Sequence, residues 1–256
     1  MKENRSERDR NFLEDSGENF ETLGGNISFA AKEAYKLLRT NLSYILSDNN
    51  NANCHVIGVT SSLRGEGKST TSINLAFVLA EMNKRVLLIE GDLRIPSMHK
   101  KLKMAAGAGL SNMLVGRRDG LALNHQLIRR VNNGDQAGFD IIFAGEIPPN
   151  PSELIGSRRM AELVNELSEE YDYIVLDLPP VTAVTDALVA SKIVDGLIVV
   201  VRCDYADRNS LNETLRQIRL VNGKVLGFVM TCANSSSSIY SKKYRYRYRY
   251  YKNDYR

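Results

Sequence analysis

The sequence predicts an α/β domain with a mostly parallel sheet flanked by helices, and three observations carry that expectation. Short runs of β-branched and aliphatic residues recur at Val56 to Thr60, Val86 to Glu90, Asp140 to Phe143, Tyr173 to Asp177, Gly196 to Arg202 and Lys224 to Cys232. Between most of them lie stretches with helical spacing: Lys68 to Met82, Ser152 to Glu169, Thr185 to Ile193 and Asp207 to Val221. Strands that alternate with helices pair in parallel, and runs that are apolar throughout are buried on both faces. Size agrees, since 256 residues with 43% apolar and 25% charged side chains suffice for one full domain with a real core.

Taken in order, residues 1 to 25 are polar and mixed in charge, the composition of a disordered leader. The domain itself is expected over residues 26–233, opening with an amphipathic helix at about 28–46. At about 100° per residue, Ala30, Ala34, Leu37, Leu38 and Ile45 share one arc, with Glu33, Lys36 and Arg39 opposite as an exposed charged face. Ser47 to Asn53, with four asparagines, reads as a linker. Gly107 to Gly138 is less regular and is expected to add short helices and a loop to the sheet. Residues 234–256 form a separate tail, which begins with the flexible tether Asn234 to Ser238.

Charge is divided unevenly. The net charge is +4, yet Ser241 to Arg256 alone carries seven Lys and Arg against one Asp, or +6, so the rest of the chain sums to −2. The body is near neutral and the tail is an appended basic segment. Three cysteines and three histidines lie far apart without metal-ligand spacing, which excludes a disulfide framework or a zinc site as the organising feature. No apolar run approaches the roughly 20 residues of a membrane span, and the charged N-terminus lacks a signal-peptide core, so a cytoplasmic location is expected.

The chemistry begins after the first strand. Ser62-Leu63-Arg64-Gly65-Glu66-Gly67-Lys68-Ser69-Thr70 has Walker A spacing, with Ser62 where Gly is usual. Gly65 and Gly67 let the backbone curl so that the amides of residues 65 to 70 face phosphate oxygens. Lys68 reaches the β- and γ-phosphates, and the Ser69 hydroxyl suits Mg²⁺. The strand before the loop and the helix after it are the context this motif requires, so ATP and Mg²⁺ are the expected ligands of a P-loop NTPase fold. Two further strands end in acids, at Glu90-Gly91-Asp92-Leu93-Arg94 and at Asp177-Leu178-Pro179-Pro180. Strand carboxyl ends face the crevice of an open parallel sheet, so these acids should converge on Lys68. Asp92 and Asp177 are candidates to hold Mg²⁺ or its waters, and Glu90 joins them as a catalytic candidate. The plainer alternative is that such acids cap the helix that follows.

The tail is the least ordinary segment. Tyr240, Tyr244, Tyr246, Tyr248, Tyr250, Tyr251 and Tyr255 are seven of the twelve tyrosines, gathered in the last seventeen residues. Alternating Tyr and Arg gives no core stripe. The segment reads either as a stacking surface for nucleic acid or as a set of substrate hydroxyls on a mobile arm. A kinase domain carrying its own tethered tyrosines accounts for both halves of the chain.

Taken together, the Walker A loop, the acid-x-Asp-x-Arg strand end, the hhhDxPP strand end and the tyrosine cluster resemble the bacterial tyrosine kinases of capsular and exopolysaccharide synthesis. The resemblance covers residues 26 to 256 and includes Glu33 to Asn41, Gly91 to Pro96 and the Gly145 to Leu154 segment with Pro148-Pro149-Asn150-Pro151. It implies a fold shared with the MinD and ParA ATPases, although the lysine those proteins place early in the loop is absent. It also implies transfer of phosphate from ATP to the seven tail tyrosines, in trans within a ring-like homo-oligomer, through Lys68, Glu90, Asp92 and Asp177. Glu33, Lys36 and Arg39 stand where the family has its oligomerisation signature, with Lys36 replacing Arg. Glu90 replaces the usual Asp, and Thr231 stands where the family has Asn near the adenine. The implied partners are a separate membrane-spanning activator, which recruits the chain to the inner face of the membrane, and a cognate tyrosine phosphatase; no nucleic acid is expected. The alternative function is a MinD- or ParA-like positioning ATPase whose basic tail binds membrane or DNA, a role to which seven tyrosines add nothing.

Overall fold

The computed structural model describes residues 27–47, 54–115, 125–133 and 136–233. The leader, most of the Ser47 to Asn53 linker and the tyrosine-rich tail lie outside the described residues. Helix α1 spans Phe29–Leu46, followed by β1 (His55–Ser61), α2 (Lys68–Ala80), β2 (Val86–Glu90), and the short helices α3 (Met98–Lys101) and α4 (Leu110–Val115). Next come β3 (Arg129–Asn133), β4 (Gln136–Ile142), α5 (Pro151–Ile155), α6 (Arg158–Glu170), β5 (Tyr173–Asp177), α7 (Asp186–Ala190), β6 (Gly196–Arg202), α8 (Arg208–Leu220) and β7 (Val225–Thr231).

The seven strands form one sheet in the order β3-β4-β2-β5-β1-β6-β7, parallel except for the antiparallel β3–β4 pair. Alternate side chains of the buried strands feed two cores. Ile57, Val59, Leu88, Val175, Ile198 and Val200 meet α1 and α2 on one face. Leu87, Ile89, Ile174, Leu176, Leu197 and Val199 meet α6, α7 and α8 on the other. Helix α2 lies between α1 and the sheet, which is why Ile73, Leu75, Ala76, Phe77, Val78 and Leu79 are buried around nearly its whole circumference.

Three expectations are corrected. Strand β3 was not foreseen, because Arg129-Arg130-Val131-Asn132-Asn133 has a single apolar residue and sits at a sheet edge, where burial does not force alternation. The single helix expected over Ser152 to Glu169 is two helices. Gly156 packs where a side chain would strike Val189 Cγ1 at 2.4 Å, and the Ser157 hydroxyl then caps α6 by accepting from the Met160 amide at 3.1 Å. The helix expected over Thr185 to Ile193 is only the five-residue α7.

Helix α1 is also rotated from its expected orientation. Tyr35, Leu38, Leu42 and Leu46 face the core, whereas Ala30 and Ala34 are exposed and Leu37 and Ile45 are 44% and 38% exposed. Apolar residues cover so much of this helix that periodicity does not decide which stripe packs. Arg39, expected on an outward charged face, turns inward instead. Its Nη1 donates to the Val78 carbonyl at 2.7 Å and lies 3.5 Å from Glu81, at the C-terminal end of α2, where unpaired carbonyls favour a cation. Glu33 and Lys36 pair with each other at 2.7 Å on the surface.

Candidate active site

Register brings the predicted acids together. Val59 of β1 and Glu90 of β2 are both level with Asp177 of β5, the strand between them. The P-loop begins where β1 ends. Gly65 and Gly67 adopt φ values of 83° and 95°, which favour glycine, and Gly67 is the N-cap of α2. Carbonyls of the loop are taken from outside: Ser62 O accepts from the Thr182 hydroxyl, Leu63 O from Ser61 at 2.6 Å, Gly65 O from Arg202 at 3.2 Å and Glu66 O from Thr231 at 2.7 Å. With those oxygens fixed and the first-turn amides of α2 lacking intrahelical acceptors, the curl presents donors to an anion.

Lys68 is buried and sits close enough to Asp92 and Asp177 to hold both carboxyls down electrostatically. Asp177 is 1% exposed, and its Oδ1 accepts from the Ser72 hydroxyl at 2.9 Å. Burial pushes its carboxyl up to about 6, against the opposing pull of Lys68 and the hydroxyls of Ser69 and Ser72. Asp92 is half-buried. Its Oδ1 accepts from the amides of Arg94 at 3.3 Å and Ile95 at 3.1 Å, and burial raises its pKa, with the Ile95 amide and Lys68 opposing. Ser69 Oγ and the two carboxylates are hard oxygen donors on one side of the loop, a set suited to Mg²⁺. Burial penalises the ionised form of Asp177, and a divalent cation held here would offset that penalty.

One sequence-predicted site residue, Glu90, is placed differently. Glu90 is buried with both oxygens occupied: Oε1 accepts from the amides of Ser97 at 2.6 Å and Met98 at 2.7 Å, and Oε2 from Ala144 at 3.1 Å. Its longer side chain stitches β2 to the start of α3 and the end of β4. The Glu66 side chain is fully buried and points into the loop's support, accepting from the Leu63 amide at 2.6 Å and the Arg202 amide at 3.3 Å. Thr231, which stands where the family has Asn, donates its hydroxyl to the Glu66 carbonyl. Sequence reasoning missed Asp186 and Ser152. Fully buried Asp186 receives Arg94 in a bidentate pair at 3.0 and 3.1 Å, and Arg94 also donates to Ser152 at 2.9 Å. The cluster fixes the turn that carries Asp92, and no local motif marks its two partners.

A protein-family model described as an AAA domain matches residues 54–227. The tyrosine-protein kinase YwqD of Bacillus subtilis (strain 168) is 32% identical over 198 residues, covering 77% of this chain and 79% of that protein. The chain belongs to the bacterial tyrosine-protein kinase family. The solved kinase domain of Escherichia coli tyrosine kinase Etk superposes with a TM-score of 0.70 at 29% identity, over 81% of this chain and 79% of that one. The same chain spans 27% of the full Etk of E. coli K12, so among its relatives this kinase domain occurs both nearly alone and within much longer proteins. The fold reaches beyond the family. A cobyrinic acid a,c-diamide synthase from Mycobacterium smegmatis, solved with an ATP analogue and magnesium, shares it with a TM-score of 0.59 at 18% identity.

Proposed function

We propose that this tyrosine kinase transfers the γ-phosphoryl group of ATP to tyrosines of its own tail, in trans within a homo-oligomer. The observation that carries the reading is the convergence of Lys68, Asp92 and Asp177 at the mouth of the P-loop. In the transfer, a tail phenol oxygen forms a bond to the γ-phosphorus as the bond to the bridging oxygen of ADP breaks, in line. Lys68 meets the charge that accumulates on the β- and γ-phosphates. Asp92, half-buried beside the loop, accepts the phenolic proton, whereas both oxygens of Glu90 are tied to backbone amides of Ser97, Met98 and Ala144. Ser69, Asp92 and Asp177 would hold Mg²⁺, which supplies neutralisation of phosphate charge. Ser72 and the Arg94–Asp186–Ser152 cluster hold the carboxylates in place.

The last described strand, β7, ends against the P-loop of its own subunit, where the Thr231 hydroxyl donates to the Glu66 carbonyl. Oligomerisation is assigned to α1 through Glu33, Lys36 and its neighbours, while Arg39 anchors that helix to its own subunit. No described helix is long and apolar enough to cross a membrane. A separate membrane-spanning activator would bring the chain to the inner face of the membrane, where it regulates capsular or exopolysaccharide synthesis or export, opposed by a cognate tyrosine phosphatase. Relatives named CapB and EpsB and the solved chimera CapA2B2 support that setting.

Intact mass after incubation with Mg-ATP tests the reading. The full chain should gain up to seven phosphates and a chain truncated after Asn234 none. Full-length Lys68→Met protein should become phosphorylated when mixed with the active truncated chain. Absence of transfer in that mixture would overturn action in trans, and phosphate on the truncated chain alone would overturn the tail as acceptor.

A further inference from the structure

Strand β7 ends the sheet, and among the described residues nothing pairs with its outer side. The Thr231 carbonyl is taken by the Cys203 amide at 3.0 Å, toward β6 and its following turn. Main-chain groups of successive strand residues point to opposite sides, so those of Phe228 and Met230 face outward. The side chains of the same two residues are 51% and 66% exposed. From Val225 to Thr231 the strand contains no charge, no proline and no lysine to discourage pairing, the devices by which edges are normally protected. On the opposite face, Gly227 has open space where a side chain would stand.

The tail supplies a segment that matches this edge. Tyr244-Arg245-Tyr246-Arg247-Tyr248-Arg249-Tyr250 alternates with a period of two, which in a strand puts four aromatic rings on one face and three guanidinium groups on the other. Tyrosine is a strong strand former, and aromatic pairs across strands are among the better ones. The segment has seven residues, as has β7. Twelve residues, 232 to 243, connect the two, and at about 3.3 Å each they have ample reach to reverse direction.

We propose that the unphosphorylated tail adds to the sheet as an eighth strand, with Tyr244 to Tyr250 running antiparallel along β7 and the tyrosine face stacked over Phe228 and Met230. Docked there, the acceptor hydroxyls are sheltered beside the subunit's own sheet edge. Each phosphate would place a charge of about −1.5 to −2 over an apolar pair and weaken the docking. That last consequence rests on tail phosphorylation, whereas the docking itself does not.

Hydrogen exchange of the phosphatase-treated full chain, without nucleotide, tests the docking independently of catalysis. The Phe228 and Met230 amides should exchange at least about tenfold more slowly in the full chain than in the chain truncated after Asn234. Replacing Phe228→Ser and Met230→Ser together, or the four tyrosines by Ser, should abolish that difference while β1 and β5 remain protected. Equal exchange in full and truncated chains would overturn the proposal even if the tail is phosphorylated. Protection that requires the tail but fades on dilution would assign it to another subunit's tail and overturn the intramolecular form. Protection that survives truncation and fades on dilution would place a second copy's β7 on the edge and overturn it outright.

Discussion

The two ends of the sheet handle charge in opposite ways. At the carboxyl end, Glu90, Asp177 and Asp186 are buried, and each is held by donors aimed at it: three amides, two hydroxyls, and a guanidinium with a hydroxyl. At the amino end, Arg85–Asp172 at 3.6 Å and Arg130–Asp140 at 3.0 Å are partly exposed pairs. A cleft of about 580 Å³ opens there, lined by Lys84, Arg85, Arg130, Asp140 and Tyr171 among others. Room and mixed charge alone would nominate the amino end. Desolvated charge nominates the other, because only there do the protein's groups stay oriented without water and gain strength from the low dielectric.

The comparison breaks first at Lys68. Lys68→Met should lower tail phosphorylation at least about 10³-fold, the scale on which a preorganised charge in a dry site acts, while thermal unfolding stays near wild type. Arg130→Ala at the other end should leave the rate within about twofold, as exposed pairs contribute little. A comparable loss in both variants, read by initial rates of phosphate incorporation, would remove the distinction.

Asp177→Asn comes next, with opposite effects on activity and stability. Folded Asp177 titrates at about 6 rather than at 3.8, so the folded state binds the extra proton. Its contribution to stability is complete below about pH 4, falls as pH rises to about 6, and is a fixed penalty above that. The Asn variant carries no such penalty, and at pH 7.5 without nucleotide it should be more stable than wild type by about 1–3 kcal/mol in urea unfolding. Near pH 4 the gain should vanish. Its use of Mg-ATP should fall about 10²-fold. In the wild type, the KM for Mg-ATP should rise as pH drops through about 6, because the carboxylate must ionise to hold the cation.

Glu90 separates structure from chemistry at the same end. Glu90→Gln keeps the shape but replaces one acceptor oxygen with a donor facing amides, at a cost of about 2–3 kcal/mol. Glu90→Asp withdraws the carboxylate by one bond from Ser97, Met98 and Ala144, with a loss of the same sign. At temperatures where these variants are folded, the pH profile of transfer should match wild type. A shift of its acidic limb in either variant would return Glu90 to the role of base.

What the sequence disclosed follows the same division. The P-loop, Asp92 and Asp177 were legible because phosphate chemistry requires particular residue types at fixed spacing beside a strand and a helix. Glu90 was legible as a strand-end acid, but its engagement by Ala144 depends on β4 lying beside β2, which no local pattern states. Asp186 and Ser152 meet Arg94 from helices far along the chain, and each alone reads as an ordinary residue at a helix start. Arg39 reads as a surface charge until α2 is seen to end beneath it. Strand β3 was hidden because an antiparallel edge is held by its ladder more than by burial.

The smallest expected effect belongs to the amino end. The Tyr171 hydroxyl donates to Asp140 Oδ2 at 3.0 Å, and Arg130 holds the other oxygen of that carboxylate. Tyr171→Phe removes one neutral donor and leaves a partly exposed acceptor that water can reach, so the cost should be about 1 kcal/mol at pH 7.5. Burial first, then Asp140, pushes the Tyr171 hydroxyl well above its ordinary range. The unfolded side chain ionises near pH 10, so the wild type loses this residue's contribution as pH climbs past that point, while the Phe variant has no such proton to lose. The difference between the two proteins should therefore narrow by about 0.7 kcal/mol or more between pH 9 and pH 10.5 in urea unfolding. Tail phosphorylation at pH 7.5 should stay within about twofold of wild type. A larger change in rate would mean that the amino-end pairs reach the P-loop through the strands between them, and the two ends would have to be treated as one coupled site.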